Sequence, residues 1–401
     1  MSLFARFARD RSGNIAVTFS LTLLPLLAVP GVAVDYSRAS MARAQLQAQT
    51  DAAALNAALA RGVTDQQRTS RAQSSVRAAP NYENLSVSAA LNGKAVTVTA
   101  TASVRTAILE VLGFRDITIG ARSTAVRNND GPPVCVLALN PTASGAVTFA
   151  GSSSFVAANC AVYSNSSAGN GLVIQGSATV KAAGFCSVGG ASNAANASPA
   201  PQTYCDRLDD PLRDLPAADT SGCTYTAVSV GPSKTATLDP GVYCQGLDIK
   251  GTVTLNPGLY VIKNGPLTIS SQANVTGAGV SFYLSGQGAG FTINASGTVD
   301  LSAMTTGAYA GVLLMQDRAS NVGATNTLNG TSDTKLKGVV YTATQSLTIN
   351  GSGTFGQQTP FLSIIADQVK FAGSSTTQAD LTAISLAAPL PKFSTGARLT
   401  Q

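Results

Sequence analysis

Short segments of this chain repeat, and repetition limits the fold more than any single residue does. Each copy is too small to bury an apolar face alone and must bury it against its neighbours. TLDPGVYC (237–244) returns as TLNPGLYV (254–261), and VTFAGSSSF (147–155) resembles LVIQGSATV (172–180), with Gly151 opposite Gly176 and Phe155 opposite Val180. Apolar triplets such as LDI, VTL, LTI, FTI and VKF follow, separated by Gly-Ser-Asn turns such as NASG (294–297) and NGSG (350–353). Strands of three to five residues recurring every ~17–27 residues predict a parallel β-helix over 128–388, its coils stacked at the strand spacing of about 4.8 Å. A β-sandwich, also built from many short strands, is the alternative.

Composition agrees with a repetitive β protein. Only 11% of the 401 residues are charged, and there is no histidine and no tryptophan. The lack of histidine removes imidazole metal sites and the Ser-His-Asp and Cys-His mechanisms. The net charge of +6 is unevenly placed. Through Arg127 there are fourteen Lys/Arg and seven Asp/Glu, whereas the rest of the chain has twelve and thirteen. The β region therefore has no basic face for nucleic acid.

Cys135, Cys160, Cys186, Cys205, Cys223 and Cys244 form no C-x-x-C pair, so their spacing predicts disulfides of an oxidising compartment for some of them rather than zinc, with buried stacking as small apolar residues the alternative. Six cysteines allow fifteen pairings, which stay open here. Cysteines at one coil position could bridge adjacent coils, since strand spacing lies within disulfide reach. The stretch 189–222 interrupts the repeats and predicts a long loop or inter-coil insertion. It contains Asp206, Asp209, Asp210, Asp214 and Asp219, with Arg207 and Arg213. Paired aspartates could act as acid and base on a glycan or as oxygen ligands for Ca²⁺. Asp-Pro and Leu-Pro punctuation and the interleaved arginines point instead to a structural turn. The expectation is no enzyme, no metal and no cofactor.

From Ser12 to Val34 there is no charge. Residues 15–34 are long enough for a transmembrane helix, and Arg6, Arg9 and Arg11 before them put residues 1–14 in the cytoplasm. Ala28 or Ala33 could instead end a cleaved signal peptide. After the span, 36 to about 79 predicts an alanine-rich helix, with Leu55, Leu59 and Val63 on its apolar face. LSVSAAL, Asn92-Gly93 and KAVTVTATASV predict a hairpin whose Val96, Val98, Ala100, Ala102 and Val104 share a buried face. AILEVLGF predicts a short helix and DITIGARSTAV a returning strand, completing an α+β module over 35–127. Residues 389–401 are expected as a tail.

The sequence RFARDRSGNIAVTFSLTLLPLLAVPGVAVDYSRA, followed by AQLQAQTDAAALNAALA, resembles the TadG-like proteins of the Tad (tight adherence, Flp pilus) assembly system. The basic-glycine start is also similar to a type IV pilin leader, which would be cut between Gly13 and Asn14. Thr18 stands where such leaders carry glutamate. Some TadG relatives carry a D-x-S-x-S metal site, but here Asp35-Tyr36-Ser37-Arg38-Ala39 lacks the second serine. The resemblance implies a single-pass bacterial inner-membrane protein whose bulk lies in the periplasm or cell envelope. Its implied partners are pilus or secretion assembly proteins. A surface adhesin and a tethered polysaccharide lyase or hydrolase are the competing expectations, and the oligomeric state is open.

Overall fold

The computed structural model describes residues 14–60, 63–77, 82–93, 95–128, 131–270, 272–294, 296–330, 334–355, 362–378, 381, 390–392 and 396–400. The chain forms two compact units, one of 1–128 with 395–401 and one of 129–394.

The first unit packs helices on a small sheet. Helix α1 (Asn14–Leu59) continues through Pro25 and Pro30. Helix α2 (Asp65–Ser75) starts at a capping box, Thr64 accepting from the Gln67 N–H and Gln67 reaching back to Thr64 N. The single helix expected from 36 to about 79 is therefore two, because this reciprocal cap gives the chain a new start. Strands β1 (Tyr82–Asn92), β2 (Ala95–Arg105) and β3 (Asp116–Asn128) form an antiparallel sheet, and Gly396–Thr400 adds its fourth strand beside β3. The hairpin turns at Asn92-Gly93, and Val96, Val98, Ala100, Ala102 and Val104 are all buried. Opposite them lie Leu46, Ala53, Ala54, Ala57 and Ala58, while Leu59 is 43% exposed. Leu55 of the expected apolar stripe packs against this core and Leu59 does not, and alanines supply most of the contact face, since a bare methyl lets helix and sheet approach closely. Arg127 donates to the Ala58 carbonyl, closing one of the orphan acceptors at the end of α1.

Among the described residues no helix is long and apolar enough to cross a membrane. The span expected at 15–34 includes 15–17 and 24–29, whose side chains lie outside the described residues. Arg6, Arg9, Arg11 and Gly13 lie outside them altogether.

The second unit is a parallel β-helix with three strands per coil. Its strands pair in parallel, as a solenoid requires and a sandwich does not. One inward column reads Ile249, Ile269, Ile293, Leu328, Ile349, Phe371, Phe149 and Ile174, each in register with the next. All eight are buried, and burying each such side chain contributes about 1.5–3 kcal/mol. The repeats stack as the sequence pattern predicts, except that beyond Pro240 the register of the 237–244 copy shifts by two and Gly241 pairs with Tyr260. Thr237 and Leu238 pair with Thr254 and Leu255, Phe155 with Val180, and Tyr243 lies over Tyr260 at 5.8 Å between ring centroids. Gly151 and Gly176 hold a corner at φ +74° and +71°, and a Cβ on Gly176 would come within 2.6 Å of the Gly151 carbonyl. Only glycine fits there.

The order of the coils is not the order of the chain. Residues 134–157 enter at an inner rung and wind outward to Ala197–Ser198. The chain then restarts at Tyr225–Val230, at the other end, and winds back through 241–355 until 362–378 lands on 134–156. At this seam Phe371 stacks on Phe149 at 4.8 Å and 7°, and Phe155 tilts against both at 5.2 and 4.9 Å. Ala191–Ser192 and Ala197–Ser198, expected within the insertion, are strands of the last coil, their small residues fitting a tight turn. The tail expected at 389–401 contains the strand Gly396–Thr400.

If those three rings close the seam, Phe371→Ala leaves a cavity there and destabilises the β-helix by about 3–5 kcal/mol. Denaturant titration of the full chain, followed by strand circular dichroism, reads this as a lower midpoint. An unchanged midpoint would mean that the seam does not form.

Candidate functional site

Residues 203–224 are neither a loop between neighbouring coils nor a gathering of carboxylates. They form a strap that runs back along the outside of the β-helix from its last coil to its first. Cys205 is bonded to Cys186 in the last coil, and Cys223 to Cys244 near the first, with Cα–Cα separations of 6.1 and 5.6 Å. Eighteen residues of extended chain reach about 60 Å at ~3.3 Å each, more than the roughly 40 Å of stacked rungs they cross. The third disulfide, Cys135–Cys160, bridges adjacent coils inside the core at 5.6 Å between Cα atoms.

Between its two disulfides the strap is fastened rung by rung. The Tyr163 hydroxyl donates to the Asp206 carbonyl, and Asn165 exchanges two hydrogen bonds with Leu208. Arg207 donates to the Pro141 carbonyl at 3.2 Å. The Asp210 carboxylate accepts from the Tyr341 hydroxyl at 2.6 Å and from the Leu212 N–H at 2.9 Å. Arg318 donates to the Leu212 carbonyl and to the Tyr341 oxygen, its guanidinium 5.2 Å from that ring's centroid. Farther along, Tyr309 donates to Pro216 O and Lys263 to Thr220 O. Beneath the strap, Leu212 is buried with Tyr163, Tyr283, Tyr309, Met315 and Tyr341 in a second apolar layer. Burial, then the hydrogen bond and charge of Asp210, push the Tyr341 phenol up, and burial with Asp317 and Tyr309 pushes Tyr283 up to about 12. Both phenols therefore keep their protons.

The strap aspartates are thus spread along its length. Asp209 is exposed, Asp214 lies 3.5 Å from its neighbour Arg213 at the surface, and Asp219 accepts from the Ser221 N–H. That N–H and the Ser221 hydroxyl hold Asp219 below the ordinary carboxylate range. Among the described residues no three His, Cys, Asp or Glu side chains come together to hold a metal. The receiving residues Tyr163, Tyr309, Arg318 and Tyr341 were missed in the sequence. The one available signal was Leu208, Leu212 and Leu215, apolar residues at short intervals in a stretch otherwise composed like a loop.

The β-helix also presents an outward column, Thr268, Thr292, Thr327, Thr348, Lys370 and Thr148. Where it crosses the seam it borders an open groove of about 420 Å³, lined by Thr148, Asn170, Gln175, Thr348, Gln368 and Lys370 among others. Hydroxyls, amides and one ammonium alternate with Val173, Leu347 and Val369, and no carboxylate or aromatic ring lines the groove.

The first unit has one tightly built polar centre. Asp35, at the head of the DYSR segment, is 2% exposed, and its carboxylate accepts the Ala107, Ile108 and Leu109 N–H groups, each at 2.8 Å. Arg38 lies 3.9 Å away. The bonds from Leu109 and Ala107 lower its pKa from the ordinary 3.8; burial opposes them, and Ile108 and Arg38 add to the lowering. Asp35 thereby caps the 3₁₀ turn Leu109–Leu112 with a residue of α1. The sequence shows the aspartate but not its target, which lies more than 70 residues away.

A carboxyl whose folded pKa is depressed contributes stability that is present above its unfolded value and lost as pH falls through the folded one. Amide exchange at Ala107, Ile108 and Leu109 should therefore stay slow at pH 5 and speed up only below 3.8. In Asp35→Asn it should be fast at both pH values. Equal protection in the variant would show that the carboxylate does not hold the turn.

No curated protein and no solved structure matches this chain. Residues 13–60, which comprise the whole of α1 including Asp35 but not the turn it caps, match the Tad family, described as "Putative Flp pilus-assembly TadE/G-like".

Proposed function

We propose that this chain is a membrane-anchored structural component of a Tad/Flp-type adhesion pilus system. The apolar front of α1 is the single-pass anchor in a bacterial inner membrane, with the basic residues before it in the cytoplasm. The β-helix then lies in the periplasm or cell envelope and acts through protein contacts with other pilus-assembly components, not through catalysis. The observation that carries this reading is the Tad match over 13–60. Two features support it. Three disulfides suit an oxidising compartment. The strap carboxylate with the most developed surroundings, Asp210, is engaged in fastening the strap.

A second reading is favoured by the polar groove at the seam. Hydroxyl and amide linings suit a hydroxyl-rich ligand, which would make the β-helix a surface adhesin in its own right. Deletion of the gene in its native host separates the two. The assembly reading expects loss of surface pili, with the tagged full-length protein recovering other pilus-assembly components from detergent extracts. Intact pili with lost adhesion would favour the adhesin, and intact pili with unchanged adhesion would contradict both.

A further inference from the structure

The turn that Asp35 caps carries apolar side chains pointing away from the protein. Val111 is 85% exposed, Phe114 65% and Ile108 41%. They are held there rather than being loose. Thr106 N and its hydroxyl bond to the Arg115 carbonyl across the base, Gly113 N donates to Glu110 O, and Phe114 N donates to Leu109 O. Single exposed apolar residues are ordinary, but Ile108, Val111 and Phe114 held together in one closed turn form a cluster of the kind that marks an interaction site.

The turn's position on α1 indicates what covers it. It is fastened at Asp35, and a Cβ on Gly31 would meet Ile108, so it sits at the helix level of Gly31–Asp35. That is where the charge-free stretch of α1 ends. On the same level α1 exposes Val32 (41%), Val34 (53%) and Tyr36 (72%). Arg105 and Arg115 stand exposed at the two ends of the turn and Arg38 is half-exposed on the helix. Glu110 and Asp116 are the acidic groups of the same turn. Apolar and aromatic tips level with the end of an apolar helix, flanked by arginines, form the pattern of a segment seated at the boundary between headgroups and acyl chains.

We propose that the turn 108–114 dips into the outer leaflet of the bilayer that α1 crosses. Val111 and Phe114 would enter the upper acyl region and Arg105 and Arg115 would lie among the lipid phosphates. This rests on the anchor reading above. It adds a second membrane contact, which would fix the rotation and tilt of the first unit on the membrane. The Asp35 bonds tie the two contacts together.

The chain contains no tryptophan, so one introduced indole reports its own surroundings. Val111→Trp, Phe114→Trp, Leu23→Trp and Val322→Trp of the full chain would be reconstituted separately into phosphatidylethanolamine–phosphatidylglycerol vesicles. One set of vesicles would carry lipid brominated near the top of the acyl chain and another lipid brominated deep within it. Disulfide content and circular dichroism confirm that each variant is folded. We expect Val111→Trp and Phe114→Trp to lose most of their emission with shallow bromines and Leu23→Trp with deep ones, while Val322→Trp keeps its emission in both. If Leu23→Trp is quenched but neither turn variant is, the dipping turn is wrong and the anchor stands. If Leu23→Trp is also unquenched, the anchor reading fails and takes this inference with it. A blue-shifted but unquenched indole at 111 or 114 would mean a protein cover and would overturn the lipid contact.

Discussion

The second unit depends on one noncovalent landing. The inward column from Ile249 to Ile174 is continuous in space, but between Phe371 and Phe149 it joins segments more than 200 residues apart in the chain. Elsewhere the next rung is supplied by the chain as it winds, and loop closure is short and inexpensive in entropy. At the seam Val369, Lys370 and Phe371 pair with Val147, Thr148 and Phe149 across a far longer loop, whose closure costs more entropy. Without that pairing both segments would present open strand edges, which recruit other chains. Phe371 stacked on Phe149, with Phe155 tilted against both, concentrates nonpolar contact energy at this junction.

The strap follows from the same topology. A chain that enters an inner rung and winds to one end must return to the other end before it can close. The return path lies along the side, where a second layer of Leu212, tyrosines and Met315 gives it something to bury against. Its two disulfides tie the last coil, and the coil next to the first, to one continuous segment. Because the seam lies at an inner rung, the unit's entrance and exit are close together, bridged at Pro133 and Lys392. The chain then rejoins the sheet of the first unit, where Gly396 pairs with Asn128. The β-helix is therefore an insertion between two adjacent strands of the helix-and-sheet unit, connected to it by two chain crossings rather than one.

Much of this was legible in local pattern and little of it in long-range order. Strict alternation from Val96 to Val104 identifies a buried face because the period of a strand is two. Gly151 and Gly176 mark a corner because their backbone needs positive φ. Rung-by-rung recurrence identifies a solenoid, but recurrence carries no information on which rung stacks on which. The seam and the strap were therefore invisible, and so was the cysteine pairing that depends on them. Alanine faces in α1 were misjudged for a different reason. Periodicity weights leucine by size and so identifies Leu55, whereas most of the helix–sheet contact is made by Ala53, Ala54, Ala57 and Ala58 around Leu46. The Asp35 cap needed a partner turn that no local rule connects to it.

Mapping the disulfides of the full-length protein taken from its native envelope tests the oxidising compartment and the coil order together. Digestion without reduction, followed by mass spectrometry, should recover peptides linking Cys135 to Cys160, Cys186 to Cys205 and Cys223 to Cys244, with no free thiol. A peptide linking Cys205 to Cys223, or thiols that alkylate before reduction, would contradict the account.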